Sequence, residues 1–378
     1  MEQVPEGLAG RLRAARVEAG VTLAAMAGRT HYSKALLGHL ETGARAIRPE
    51  HVTAYSRVLG VSVERLHGPA DDALRIAHEW LVADTPMRVQ LRAGRRVGDA
   101  LATELERRIV ELRHLDDVVG GNDLFPIVAR ELREARTLVR ESCCTETTRR
   151  RLLTGVGELS QLAGWVASDA GRHAEAQRVY LSGTTAAAEA GDRALAGQLL
   201  SSLSYQVATV GDPADAVLLA RTAVAGTRTA PPVVRALLRE RVAWATARAR
   251  DRDGARRALD AADDAFEQRS PGVAEPEWVY WLDRSEIDVM AARCMIELGD
   301  PRSAAPLLDA AIDGYPPEHA REVALYLTWL AESYLGTGTL DAGREALDRA
   351  RRAAQGVHSA RLDARIAAVQ QLAGPRPG

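Results

Sequence analysis

Apolar residues recur at helical spacing along most of the chain. Leu8, Leu12 and Ala15 share one face of a helix expected from about Pro5 to Ala19, with Arg11, Arg13 and Glu18 turned outward. Thr22 is a good N-cap for a second, short helix whose inward face carries Leu23, Met26 and Ala27. Thr30, His31 and Tyr32 read as a turn, and Ser33 then caps a third helix, Lys34 to Glu41. Leu36, Leu37 and Leu40 supply its apolar positions. Pro49 opens a fourth helix that buries Val52, Tyr55 and Val58 or Leu59, and Ser62 to His67 form a short fifth. The cluster Gly68-Pro69-Ala70-Asp71-Asp72 breaks the pattern and marks a boundary.

Helical patterns at about 73–83, 97–119 and 123–141 follow as a connector, interrupted at Thr85-Pro86 and at Gly120-Gly121. The chain then repeats itself. The register Gly164/Ala176/Tyr180/Gly183 recurs as Ser204/Ala216/Ala220/Ala223 and as Ala243/Ala255/Leu259/Ala262. It returns as Ala292/Ala304/Leu308/Ala311 and as Ala331/Gly343/Leu347/Ala350, with starts 40, 39, 49 and 39 residues apart. Small residues at these places let antiparallel helix pairs approach closely, and stacking buries what one pair cannot. Breakers fall where the turns within pairs should lie: Gly171, Gly211-Asp212-Pro213, Asp253-Gly254, Gly299-Asp300-Pro301 and Gly336-Thr337-Gly338. The long interval contains an insertion at 268–276, followed by Trp278, Tyr280 and Trp281. Residues 354–373 read as a final capping helix. The expected fold is therefore all-α, in three parts: a five-helix domain at 1–68, a connector at 73–142 and a helical-repeat domain at 143–373.

Two helices as short as the second and third cannot form a core alone. They can pack at an angle and hold the third outward, which is the geometry of a helix-turn-helix whose second helix enters the major groove. The stretch from Gly20 to Gly43, with LRAAR in the first helix, Ala27 at the helix contact, the Ser33 cap and Leu40-Glu41 before Gly43, resembles the Xre-like (Cro/repressor-type) DNA-binding domain. The resemblance covers about Leu8 to Leu66. It implies a pair between Arg16 and Glu41, and groove-facing positions at Lys34, Ala35, Gly38 and His39. Lys can donate to guanine, His can donate or accept, and an Ala methyl can meet the thymine methyl. Thr22, Ser33, Arg45 and Arg48 are expected near the phosphates. Two positions depart from the family: Leu23 replaces a frequent Gln, and His31 replaces the usual turn Gly, a residue type that tolerates positive φ. The repeats resemble a degenerate tetratricopeptide array, and the combined layout looks like a regulator type common in actinobacteria. Its similarity to peptide-responsive quorum-sensing regulators of Firmicutes implies a small-molecule or peptide effector.

Composition agrees with helices: aromatics make up only 4% of the 378 residues, while Ala, Leu and Arg dominate. Of 49 basic residues only Lys34 is a lysine, an Arg excess that a GC-rich genome explains. The formal net charge is −2, so overall charge does not point to nucleic acid. The first 68 residues differ, with nine basic against six acidic side chains. Three cysteines, two of them adjacent, form neither a disulfide framework nor a zinc set, and the nine His include no HExxH. No GxSxG, P-loop or strand-based GxGxxG occurs either, so neither an enzyme, a metal nor a cofactor is expected. No signal sequence or transmembrane run is evident, which leads us to expect a cytoplasmic protein without membrane contact.

Trp278, Tyr280 and Trp281 are conspicuous in a chain this poor in aromatics. They read either as core or as one wall of a ligand pocket, with Arg284 and Glu286 as polar anchors. The leading expectation is a homodimeric transcriptional regulator on a near-palindromic double-stranded operator. The alternatives are a repeat-based interaction scaffold and an antitoxin-like protein, in both of which DNA binding is secondary.

Overall fold

A computed structural model describes residues 8–45, 47, 49–61, 66, 98–117, 119–315 and 319–374. Among these, seventeen α-helices and one short 3-10 turn account for the regular structure, and there is no strand. The chain divides into two compact units, Met1–Arg88 and Val89–Gly378.

The first unit holds α1 (Leu8–Glu18), α2 (Leu23–Arg29), α3 (Lys34–Glu41) and α4 (Pro49–Leu59). Its core is Leu12, Ala15, Met26, Leu37, Leu40, Val52, Tyr55 and Leu66, with Leu8, Leu23, Ala27 and Leu36 half-buried around it. Thr22 and Ser33 cap α2 and α3 by accepting from the amides of Ala25 and Leu36. The turn between them does not use His31 in a left-handed conformation: Arg250 is the one non-Gly residue with positive φ among those described. Thr30 takes over instead. It ends α2 in extended backbone, and its hydroxyl donates to the Met26 carbonyl and accepts from the Tyr32 amide. The expected fifth helix lies outside the described residues except for Leu66, which is fully buried and accepts from Arg11 Nε at 3.0 Å.

The second unit begins with α5 (Asp99–Asp116) and α6 (Gly121–Glu141). Five antiparallel pairs follow: α7 (Glu146–Asp169) with α8 (His173–Ala190), α9 (Arg193–Val210) with α10 (Pro213–Gly226), α11 (Pro232–Arg248) with α12 (Arg252–Glu267), α13 (Arg284–Glu297) with α14 (Pro301–Gly314), and α15 (Ala320–Gly336) with α16 (Leu340–Ala353). The last helix, α17 (Ala360–Ala373), packs on α15 and α16. Both α5 and α6 pack on α7, so the last two helices of the expected 73–142 connector belong to the repeat-like unit, while 73–83 lies outside the described residues.

Every residue of the repeating register is buried except Leu259, which is half-buried. A Cβ on Gly164 would lie 2.4 Å from the Tyr180 ring, and Ser204 donates to the Ala216 carbonyl at 2.8 Å. The first contact shows why Gly164 must be small: any side chain there would strike the ring of Tyr180, the third residue of the same register. One expected breaker is misplaced. Asp253-Gly254 lies inside α12, and the turn is made by Arg250 at φ 61° with Asp251 as the cap.

Candidate nucleic-acid interface and repeat-domain cavity

α3 has two faces of opposite character. Leu37, Leu40 and Glu41 point into the core and are at most 2% exposed. Lys34, Ala35 and His39 lie exposed on the other side, beside a half-exposed Gly38 that has open space around its missing Cβ. Thr22, Ser33 and Arg45 are exposed as well, whereas Arg48 lies outside the described residues. The Thr22 and Ser33 hydroxyls each accept from an amide of their own helix, which leaves each hydroxyl proton free to donate.

What fixes α3 is a buried ionic cluster beneath it. Arg16 Nε and Nη2 donate to the two Glu41 oxygens at 2.6 and 2.7 Å, and Nη1 donates to the Val21 carbonyl at 2.8 Å. Tyr55 Oη donates to Glu41 Oε1 at 2.7 Å. The cluster therefore joins α1, α3 and α4 through one carboxylate. Hydrogen bonding to Glu41 raises Arg16 above its ordinary value against the opposing effect of burial. Burial and the same carboxylate push the Tyr55 phenol upward.

Residues 8–67 match the model of a helix-turn-helix domain. Comparison of the whole chain with curated proteins finds no match. The match covers the helix-turn-helix unit and leaves the repeat-like unit to be read from its own geometry.

That unit holds a cavity of about 350 Å³ that is partly open to solvent. The 3-10 turn Glu277–Val279, just after the insertion, brings Trp278, Tyr280 and Trp281 to its wall. Trp278 is 3% exposed, Trp281 half-buried, and Tyr280 exposed with its hydroxyl on Asp117 and its ring against His114. Arg284 is not part of the wall. It sits on the first turn of α13 and pairs with Asp263 and Asp288. Glu286, two residues on, does face the cavity and accepts from the hydroxyls of both Tyr315 and Tyr326.

Sequence reasoning missed the strongest polar groups here: Tyr205 on α9, Glu240 and Arg241 on α11, and Arg293 on α13. Each is buried. Nothing in their local sequence marks them, because three separate repeats contribute them and arginine is abundant throughout. Burial pushes the Tyr205 phenol up, but Arg293, Arg361 and Arg241 pull it down further, to about 8. Burial raises Glu240 to about 8 and lowers Arg241.

Among the described residues no group of three or more His, Cys, Asp or Glu is placed to hold a metal ion, and no helix is long and apolar enough to cross a membrane.

Proposed function

We propose that this chain is a sequence-specific DNA-binding transcriptional regulator of Xre type, rather than an enzyme, and that it acts in the cytoplasm. The supporting observation is the two-sided α3: an exposed Lys34, Ala35 and His39 and a half-exposed Gly38 above a core face locked by Arg16, Glu41 and Tyr55. Lys34 and His39 supply donors for base edges, the Ala35 methyl suits thymine, and Ser33, Thr22 and Arg45 serve the backbone. A single domain of this size reads a short half-site, so useful occupancy calls for two copies on a near-palindromic operator. The tetratricopeptide-like unit holds the homodimer and takes a small-molecule or peptide effector in its cavity. An effector can change DNA binding only by favouring one arrangement of the dimer over another.

Selection of genomic fragments by the full chain, followed by sedimentation of the complex, tests this reading. Enrichment of one near-palindromic sequence bound by two copies is the expected result. Recovery of random fragments, or of one copy per site, overturns it in favour of the scaffold or antitoxin-like alternatives.

A further inference from the structure

Four ionisable side chains in the cavity make no ion pair among the described residues, although the same walls contain well-made pairs. Arg113 is paired with Glu158 and Glu277, Arg321 with Asp116, and Arg361 with Asp169. Arg241 has no hydrogen-bond or ion-pair partner among the described residues and is only 6% exposed. Its guanidinium meets ring faces instead, 4.6 Å from Tyr205 and 5.8 Å from Trp281. Arg293 donates to Tyr205 Oη at 2.8 Å, leaves Nε unpaired and packs on Trp244. On the acidic side, Glu240 is 1% exposed with Oε1 unpaired, and Glu286 contacts tyrosine hydroxyls but no cation.

Buried charges are costly unless something answers them. Here ring faces flank the two arginines, Tyr205 and Trp281 at Arg241 and Trp244 at Arg293, and the acidic groups act on them through space without a hydrogen-bonded pair among the described residues. We infer that the cavity binds a small zwitterion, its carboxylate between Arg241 and Arg293, its amine at Glu240 and Glu286, and its flat apolar body against Trp165, Trp278 and Trp281. Two acidic side chains in the same space, whose ionised form a cation stabilises, favour a ligand with an amine over a dianion such as a phosphate monoester. The volume lies at the small end of ligand pockets and suits a molecule the size of an amino acid. Asp116, at the C-terminal end of α5, and Asp117, just beyond it, form part of the wall. The cavity therefore adjoins the first described helix of the repeat-like unit. This rests on the reading of the repeat-like unit as a sensor and gives its effector a chemical class.

Calorimetric titration of the full chain with L-phenylalanine, L-tyrosine and L-tryptophan tests the inference, each beside its N-acetyl and C-amide derivative. At least one free amino acid should bind, and blocking either end should weaken binding about tenfold or more. R241M and E286Q should each lose about as much, while R241M melts no lower than the unaltered chain. Failure of all three at millimolar concentration overturns the inference. Equal binding of a blocked derivative also overturns it and assigns the site to a peptide end, which those derivatives mimic. A large drop in the melting temperature of R241M overturns it too, since Arg241 is then a structural residue. Anisotropy on a selected DNA fragment separates the two levels. Amino-acid binding without any change in DNA affinity upholds the cavity chemistry and overturns the sensor reading. A DNA response to cell extract without binding of the three amino acids does the reverse.

Discussion

In the N-terminal unit Arg16 and Glu41 meet in a two-pronged pair completed by Tyr55, whereas in the repeat-like unit Glu240 and Arg241 are comparably buried and unpaired. The first cluster leaves neither Glu41 oxygen without a donor and ties three helices at fixed angles. The second holds charge against aromatic faces around open space. A satisfied network rigidifies, whereas an unsatisfied one carries the desolvation cost of its buried groups. The contrast gives the first cluster a framework role, and under the inference above the second is a recognition site.

The largest expected effect breaks the first cluster. Glu41→Gln leaves the Arg16 guanidinium buried without its counter-charge and should cost the N-terminal unit about 3–5 kcal/mol. Hydrogen exchange of the amides in α1 to α4 reads this directly. Protection equal to that of the unaltered chain would erase the contrast.

Glu240→Gln sharpens the comparison from the other side. Because burial lifts the folded carboxyl to about 8, its contribution is fully present below the unfolded value and is lost as pH rises through about 8. The melting temperature of the unaltered repeat-like unit should therefore fall between pH 5 and 8, with a slope of at most about 1.4 kcal/mol per pH unit from this group. Glu240→Gln should melt higher at pH 8 and show a shallower fall. An unchanged slope would mean that Glu240 gains a cation in solution.

The smallest effect concerns the exposed face. A Cβ at Gly38 would meet nothing within 4 Å, so Gly38→Ala should stabilise α3 by about 0.5–1 kcal/mol. Urea unfolding measures it, and a loss of stability would show that Gly38 is there for the fold rather than for the groove.

Much of the fold was legible because local signals agreed. Thr22, Ser33, Asp212 and Asp300 cap helices at the positions their side-chain chemistry suggests, and the small-residue register marks the helix contacts. The Asp253-Gly254 error arose because Arg250 adopts a left-handed conformation usually left to glycine. Pairing of Arg16 with Glu41 came only through resemblance, since residues 25 apart carry no local sign of contact. At the cavity, scarcity made Trp278, Tyr280 and Trp281 visible. Arg284 was the wrong anchor for a helical reason: Glu286 lies two positions further round α13, nearly on the opposite side, and it is the one that faces inward. Arg241 and Arg293 gave no signal at all, because their meaning depends on contacts between repeats.

Competition between a selected genomic fragment and random duplex, measured across a salt series for the unaltered chain and Lys34→Ala, tests the claim that α3 reads sequence. The unaltered chain should prefer the selected fragment, with affinity falling steeply as salt rises. Lys34→Ala should lose about 1–3 kcal/mol on the selected fragment and little on random DNA. Equal loss on both would make Lys34 a phosphate contact, and no preference for the selected fragment would contradict the claim outright.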